Sequence, residues 1–442
     1  MTAREFHVML HGGYPNVPYA GKRGSNYIDL PNSHYDRTEG QRVLERQLDT
    51  FVALETMGYD GGVVSEQHNG PIGLLGNPLL AGAFVAARTS SIKIGVVGPI
   101  INAYLSPVRM AEEVAALDTM SRGRLLLGLP MGHGMQYHSM GVINPATARA
   151  RYREAHDLFI KALTHEGPFE WFGEFYQIPY VNLWPKTVQD PHPEILILGG
   201  GSQETLELVA DKRYGYQSVG LNSMASIAKT MGRFRDLCRQ RGYEADRRQI
   251  WASVNIHVAE TDEQARLEAE AHALWLGQNF FRSHFHDNFP PGYLSQPSMR
   301  GVLGGGYRSK STAKAAFDAA VESGNLIVGS PDTVAAGMER LFAEMDPGRV
   351  LLDPLGDTKP AWLVNKTLSL FAEEVLPRLR EGGVPPGQHT KLAGYESLAE
   401  YGARKDRTLP APTVTLGDGL IDASTSHVAS LRQPVEPGEF LA

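Results

Sequence analysis

Eight short apolar runs recur along the chain, and longer amphipathic stretches separate them. The runs are Phe6–Leu10, Gly62–Ser65, Ile92–Val97, Arg124–Pro130, Glu194–Leu198, Tyr216–Gly220, Ile250–Val258 and Arg349–Leu352. The stretches with helical period are Gln41–Met57, Pro78–Arg88, Pro107–Met120, Ala146–His165, Ser202–Lys212, Ala225–Arg241, Asp262–Leu276, Pro331–Met345 and Lys359–Leu379. Strands covered on both faces read as near-continuous apolar runs, and parallel neighbours need helical crossovers. Eight strands, each followed by a helix, predict an α/β chain closed into a (β/α)8 barrel. Several helices open on a cap or a first-turn proline, as at Asn77-Pro78, Ser106-Pro107, Ser202 and Ser330-Pro331.

Additions to the barrel are expected after strands one, four and seven. Residues 12–38 form a long polar loop. Phe169–Tyr180 reads as an aromatic hairpin around Phe172-Gly173-Glu174, and residues 277–311 form an aromatic, glycine-rich, lid-like insertion. Residues 1–380 are expected to be the barrel domain and residues 381–442 a proline-rich extension. The formal charge of −7 offers no basic patch for nucleic acid or for an anionic membrane. The N-terminus lacks a signal-peptide pattern, and no run approaches the roughly 18 apolar residues of a span, so a cytoplasmic protein is expected. The single cysteine, Cys238, excludes intrachain disulfides and CxxC motifs. Its helical spacing with Ile227, Met231 and Phe234 predicts burial.

In such a barrel the chemistry sits at the C-terminal ends of the strands. Strand one ends at His11 and strand two in Ser65-Glu66-Gln67-His68-Asn69. Strand three ends in Gly98-Pro99-Ile100-Ile101-Asn102, strand four in Pro130-Met131-Gly132-His133-Gly134, and strand five in Gly199-Gly200-Gly201. The triple glycine is no dinucleotide fingerprint, because Glu204 stands where the third glycine belongs, and no Gly-Lys-Ser/Thr follows. Two readings stay open for it. It is an anion site built from backbone N–H groups and a helix N-terminus, with Ser202 and Thr205 adding hydroxyls, or it is a turn that Ser202 caps. Glu66, Gln67 and His68 offer acid–base groups or plain structural ones. Gly98-Pro99 removes a ladder donor, which predicts a bulge or a cis bond, or else a plain strand end. The His284-x-His286 pair has no complete ligand set around it, so no metal is expected and the pair fits the wall of a lid better.

Ordered blocks across residues 5–380 resemble the bacterial luciferase-like flavin-dependent oxidoreductases. EQHNGPIGLLGNP (66–78) is similar to the family's Glu-His-His segment. SPVRMAEEVAALDTMSRGRLLLGLPMGHG (106–134) resembles its Pro-Val-Arg helix leading into strand four. WPKTVQDPHPEILILGGGSQET (184–205) and VGSPDTVAAGMERL (328–341) resemble its strand-five phosphate segment and its last-strand approach.

The resemblance implies a monooxygenase that binds reduced FMN, supplied by a separate NAD(P)H:flavin reductase. Molecular oxygen is the co-substrate, a flavin C4a-(hydro)peroxide the oxygenating species, and a small organic molecule the substrate. It also implies a homodimer or a higher homo-oligomer. Gly200, Gly201, Ser202, Thr205 and Tyr152 are then expected at the flavin phosphate, with Arg149 and Arg151 beside Tyr152. Gly98, Pro99, Asn102, Met131 and Gly132 are expected along the flavin. Two departures stand out. Gln67 replaces the first histidine of Glu-His-His and cannot shuttle a proton, which leaves His68 or His138, with Glu66, for acid–base work. Met131 stands where some relatives place a phosphate-binding arginine, so the charge falls to the glycine turn, the helix dipole or Arg151. A deazaflavin (coenzyme F420)-dependent hydride-transfer enzyme and a non-catalytic flavin-binding relative are the alternatives.

Overall fold

A computed structural model describes residues 4–17, 30–132, 136–137, 140–141, 144–218, 223–270, 272–273, 286, 289–296, 298–300, 313–356, 359–380, 413–416 and 419–422. In chain order the elements begin β1 (Glu5–Met9), α1 (Arg37–Met57), β2 (Gly61–Val64), α2 (Pro78–Ala86), β3 (Lys93–Val97), α3 (Pro107–Ser121), β4 (Leu125–Gly128) and α4 (Ala148–Thr164). There follow β5 (Phe169–Phe172), β6 (Gln177–Val181), β7 (Glu194–Gly199), α5 (Gln203–Lys212), β8 (Gly215–Ser218), α6 (Met224–Gln240), β9 (Ile250–Val258) and α7 (Asp262–Glu270). The series continues with α8 (Ala313–Glu322), β10 (Leu326–Gly329), α9 (Pro331–Met345), β11 (Arg349–Asp353) and α10 (Ala361–Leu370), which runs on through a π turn to Leu379. Two compact units result, Met1–Ala393 and Gly394–Ala442. In the second, β12 (Thr413–Leu416) pairs antiparallel with β13 (Gly419–Asp422).

Strands β1, β2, β3, β4, β7, β8, β9 and β11 pair in parallel in that order. β11 returns to β1 with Glu5 opposite Arg349. This is the closed barrel that the eight apolar runs predict. The helices start and stop as their sequences dictate. Asp36 caps α1 by accepting the Glu39 N–H at 2.8 Å, and Gly58 ends it in the left-handed region. β10 was not among the eight runs. It pairs with the far half of β9 (Leu326 opposite Asn255), beyond the Ile250–Trp251 stretch that β8 occupies.

The barrel interior is layered. At the N-terminal ends, Arg349 is 1% exposed and donates to Glu5 and Glu194, while Lys93 pairs with Glu5 at 2.6 Å. Above these charges lies an apolar plug of Met9, Val63, Val97, Leu126, Leu196, Trp251 and Leu351. The outer core, where strands meet helices, is a single larger apolar cluster. Cys238 is buried there as its spacing predicts. The aromatic hairpin forms as β5 and β6, with Trp171 opposite Ile178. The Glu154 carboxylate on α4 holds it, accepting from Trp171 Nε1 and from the N–H groups of Glu174, Phe175 and Tyr176 at 2.9–3.1 Å.

Candidate functional site

Side chains alternate along each strand, so residues two beyond the apolar plug form the next interior layer toward the C-terminal ends. Much of that layer is polar. Gln217 on β8 donates to Ser253 Oγ on β9 at 2.9 Å, and its own Oε1 is buried without a partner. His11 Nε2 meets Asp353 Oδ2 at 3.0 Å, joining the ends of β1 and β11. After β2, Gln67 Nε2 donates to Ser65 Oγ at 3.2 Å.

Glu66 is buried and links two strand ends. One oxygen meets His68 Nε2 at 2.8 Å, and the other accepts the Ile100 N–H at 3.2 Å. A carboxylate accepts, so Nε2 of His68 donates this bond. The Val97–Gly98 peptide is cis, one bond before the Gly98-Pro99 step where the sequence anticipates an irregularity. A Cβ on Gly98 would lie 1.8 Å from the Gly128 carbonyl oxygen, so the ends of β3 and β4 touch backbone to backbone. Pro99 is buried beside it.

Asn102 is wholly buried, and its side-chain amide, beside the Tyr137 hydroxyl, makes no hydrogen bond of good geometry. The loop after β4 is fixed by two phenols. Tyr137 donates to the Met131 carbonyl at 3.2 Å, and Tyr293, from the insertion after β9, donates to the Gly132 carbonyl at 2.8 Å. The two rings meet edge to face with centroids 5.4 Å apart. Burial pushes the Tyr293 hydroxyl up to about 12 and the Tyr137 and Tyr152 hydroxyls higher still. These phenols therefore stay neutral near pH 7 and act as hydrogen-bond donors. Tyr152 is buried and donates to the Leu129 carbonyl at 2.7 Å.

At the triple glycine, Gly199 is held by Tyr216, whose hydroxyl donates to its carbonyl at 2.8 Å. Gly201 has φ +83°, and a Cβ there would collide with Thr230. Gly200 is different: a Cβ on it would meet nothing within 4 Å. Ser202 caps α5, accepting the Thr205 N–H at 3.3 Å, and the two hydroxyl oxygens lie 2.9 Å apart. Sequence reasoning missed the cation at this turn. Arg233 on α6 donates to the Gly201 carbonyl at 3.0 Å and to Gln203 Oε1 at 2.9 Å. Arg151, the alternative the sequence suggested, is engaged elsewhere. It donates to the Asn102 carbonyl at 2.8 Å and lies over the Tyr176 ring. Arg149 also stands apart from the turn, its charge acting on Tyr137 and Tyr293.

His138 and His284 lie outside the described residues, and His286 is exposed. Among the described residues no group of His, Cys, Asp and Glu could hold a metal ion, and no helix is long and apolar enough to cross a membrane. Asp353 was also missed. Its signal was its position two residues beyond Leu351, at the end of the last strand.

The sequence profile described as "luciferase-like monooxygenase" matches residues 27–345. Limonene 1,2-monooxygenase of Rhodococcus erythropolis is 24% identical over 372 residues, covering 82% of this chain and 87% of that one. The oxygenase component of flavin-dependent trigonelline monooxygenase from Acinetobacter baylyi is 25% identical over 261 residues, covering 57% and 70%. The fold is shared with the oxygenating constituent of 3,6-diketocamphane monooxygenase from Pseudomonas putida, solved with FMN. The TM-score is 0.64 at 19% identity, covering 85% of this chain and 99% of that one. A profile match over most of the chain, on a closed barrel with its polar groups at the strand ends, establishes that this chain belongs to the luciferase-like monooxygenase family.

Proposed function

We propose that this chain is the oxygenase component of a two-component FMN-dependent monooxygenase. It takes reduced FMN from a separate NAD(P)H:flavin reductase and uses molecular oxygen to oxygenate a small, apolar organic substrate. The observation that carries the reading is the turn before α5. There the Gly200 backbone is open, Ser202 and Thr205 hydroxyls lie 2.9 Å apart, and a helix begins. Backbone N–H groups, hydroxyls and a helix N-terminus together suit a phosphate. Gly200, Gly201, Ser202 and Thr205 would hold it.

The buried amide of Asn102, beside the Tyr137 hydroxyl, and the unpartnered Oε1 of Gln217 fit a heterocycle with both donors and acceptors on its edge. Gly98, Pro99, Met131 and Gly132 would lie along the flavin. The flavin would supply the electrons that activate oxygen. The chain's own part is to orient it, to exclude water and to move protons. His68, oriented by Glu66, is the proton-handling group of the β2 end. The clustered rings of Tyr137, Tyr293 and Phe289 offer an apolar wall, which supports an apolar substrate. On α2, Leu80 and Phe84 are 72% and 48% exposed one helical turn apart, which supports burial against a second copy.

The test is anaerobic titration with reduced FMN, with reduced deazaflavin in parallel, followed by rapid mixing with oxygen. Saturable FMN binding and a transient absorbance distinct from both reduced and oxidised flavin are expected. Preference for the deazaflavin would replace the reading with hydride transfer. Binding followed by direct reoxidation, with no transient, would replace it with a flavin carrier.

A further inference from the structure

Two imidazoles at the strand ends are held by carboxylates. One is His68; the other is His11. Met9 and Leu351 both belong to the apolar plug. His11 and Asp353 lie two residues further along β1 and β11, so both continue the inward-facing rows. Asp353 is fixed from two sides: Oδ1 accepts the Leu355 N–H at 2.8 Å, and Oδ2 meets His11 Nε2 at 3.0 Å. The side chains are 23% and 17% exposed. A ligand at the mouth can reach them, unlike His7 and His257, which are wholly buried.

The surroundings set the direction of the proton. Burial pushes the Asp353 carboxyl up, but His11, the Leu355 amide and the buried Lys359 more than offset this and hold it below its ordinary value. Asp353 is therefore an acceptor, Nε2 of His11 carries a hydrogen, and Nδ1 is the nitrogen that gains or loses a proton. Lys359 stands behind Asp353 and donates to the Pro354 carbonyl at 2.7 Å. Neutral amides flank the ring's own strand. Gln47 on α1 donates to the Leu10 carbonyl at 2.6 Å, and Gln67 and the His11 carbonyl both crowd Gly73. The Glu66–His68 pair lies at the end of β2, the neighbouring strand.

Monooxygenation of a substrate by O2 and reduced flavin places one oxygen atom on the substrate and releases the other as water. The flavin gives up two electrons and two protons, and both protons end on that water. Without substrate the same electrons and protons give hydrogen peroxide. Either way, two protons must cross from the ring to oxygen. Resting on the FMN monooxygenase reading, we propose that His11, oriented by Asp353, is a second proton-transfer residue: Nδ1 takes one of these protons and releases it to the departing oxygen. Asp353 is a positioning residue.

The test uses the full chain, with no substrate. Ring titration of His11 is followed by NMR in the flavin-free wild type and in Asp353→Asn. Single-turnover reoxidation of bound reduced FMN is followed against pH in both and in His11→Asn. The wild-type rate should show a pH limb that coincides with the His11 titration. His11→Asn should lose that limb and slow reoxidation about tenfold or more, the low end for general acid–base catalysis, with the FMN dissociation constant changed less than about twofold. Asp353→Asn removes the anion that favours imidazolium, so the ring titration and the limb should both move to lower pH together. If His11→Asn keeps the limb, or Asp353→Asn moves the titration but not the limb, the proposal is overturned while the flavin reading stands. If the wild type binds no reduced FMN, both fall.

Discussion

The Lys359 ammonium donates to Nδ1 of His257 across 2.9 Å, and neither side chain has any exposed surface. Thr367 Oγ1 lies 2.8 Å from the same nitrogen, and Nε2 faces Glu268 at 2.9 Å. From there Lys366 leads to exposed Glu260. A polar chain thus runs from solvent to the residue beside Asp353. Burial, reinforced by the Lys359 charge, lowers the His257 imidazole to about 4. Unfolded, it would titrate near 6.5. Between those values the unfolded chain binds a proton that the folded chain refuses, so folding stability falls as pH drops through this window. The loss should level off at a value on the order of 3 kcal/mol. Urea unfolding at a series of pH values checks it: His257→Gln should flatten the acid slope, and an unchanged slope assigns it to another group.

Lys359 predicts a second slope of the same sign. Burial lowers its ammonium to about 7. From there up to its unfolded value near 10.4 only the unfolded chain holds the proton, so stability should rise with pH across that range. Lys359→Met cannot titrate and should lose the rise.

Two glycines separate folding from cofactor binding. A Cβ on Gly98 would overlap the Gly128 carbonyl, whereas one on Gly200 would meet nothing within 4 Å. Gly98→Ala should destabilise the barrel by about 1–3 kcal/mol, the usual cost of forcing an atom into a filled space. Gly200→Ala should leave the unfolding midpoint unchanged and weaken reduced-FMN binding about tenfold or more, because the methyl would occupy the room proposed for the phosphate. A Gly200→Ala variant that binds FMN normally would move the phosphate away from this turn.

The barrel was legible because its period is global. Eight apolar runs spaced by helices leave few alternatives, and caps such as Ser202 and Ser330 mark boundaries locally. The site was legible only where a residue type betrays itself. Glycines at 199–201 and the acid–base cluster at 66–68 stand out in the sequence. Arg233 and Asp353 do not, because each gains its meaning from a partner on another strand or helix. Asp353 pairs with His11, 342 positions away in sequence. Arg233 lies 32 positions beyond the carbonyl it touches, within an ordinary amphipathic helix. Charge alone makes Arg151 as good a phosphate partner as Arg233, and their contacts in the fold tell them apart: the Asn102 carbonyl and the Tyr176 ring for one, the Gly201 carbonyl for the other.

Glu66 orients His68 while also tying β2 to β3, so its two roles can be split. Glu66→Gln keeps an acceptor for the Ile100 N–H but loses the anionic partner of the ring. Reoxidation of bound flavin should slow about tenfold or more, as for loss of a positioned acid–base group, with little change in FMN affinity. His68→Ala should cost at least as much, and the double variant no more than the worse single, because the two act as one unit. Additive losses would separate Glu66 from His68.

Ser202 is both a helix cap and a proposed phosphate ligand, and its neighbour distinguishes the roles. Removing the cap should cost about 1 kcal/mol of stability, so weaker FMN binding in Ser202→Ala alone would be ambiguous. Thr205 contributes only its hydroxyl, 2.9 Å from that of Ser202, and caps nothing. Thr205→Val keeps the shape and the β-branch. It should leave the unfolding midpoint within experimental scatter and weaken reduced-FMN binding by about 1–3 kcal/mol, the range for a hydrogen bond to a charged group. Ser202→Ala should then show both losses, and Ser202→Thr, which restores the cap and the hydroxyl, should recover both. If Thr205→Val binds FMN as the wild type does while Ser202→Ala binds poorly in proportion to its lost stability, the hydroxyls serve the helix alone, and the phosphate is held by the glycine backbone and the cation of Arg233.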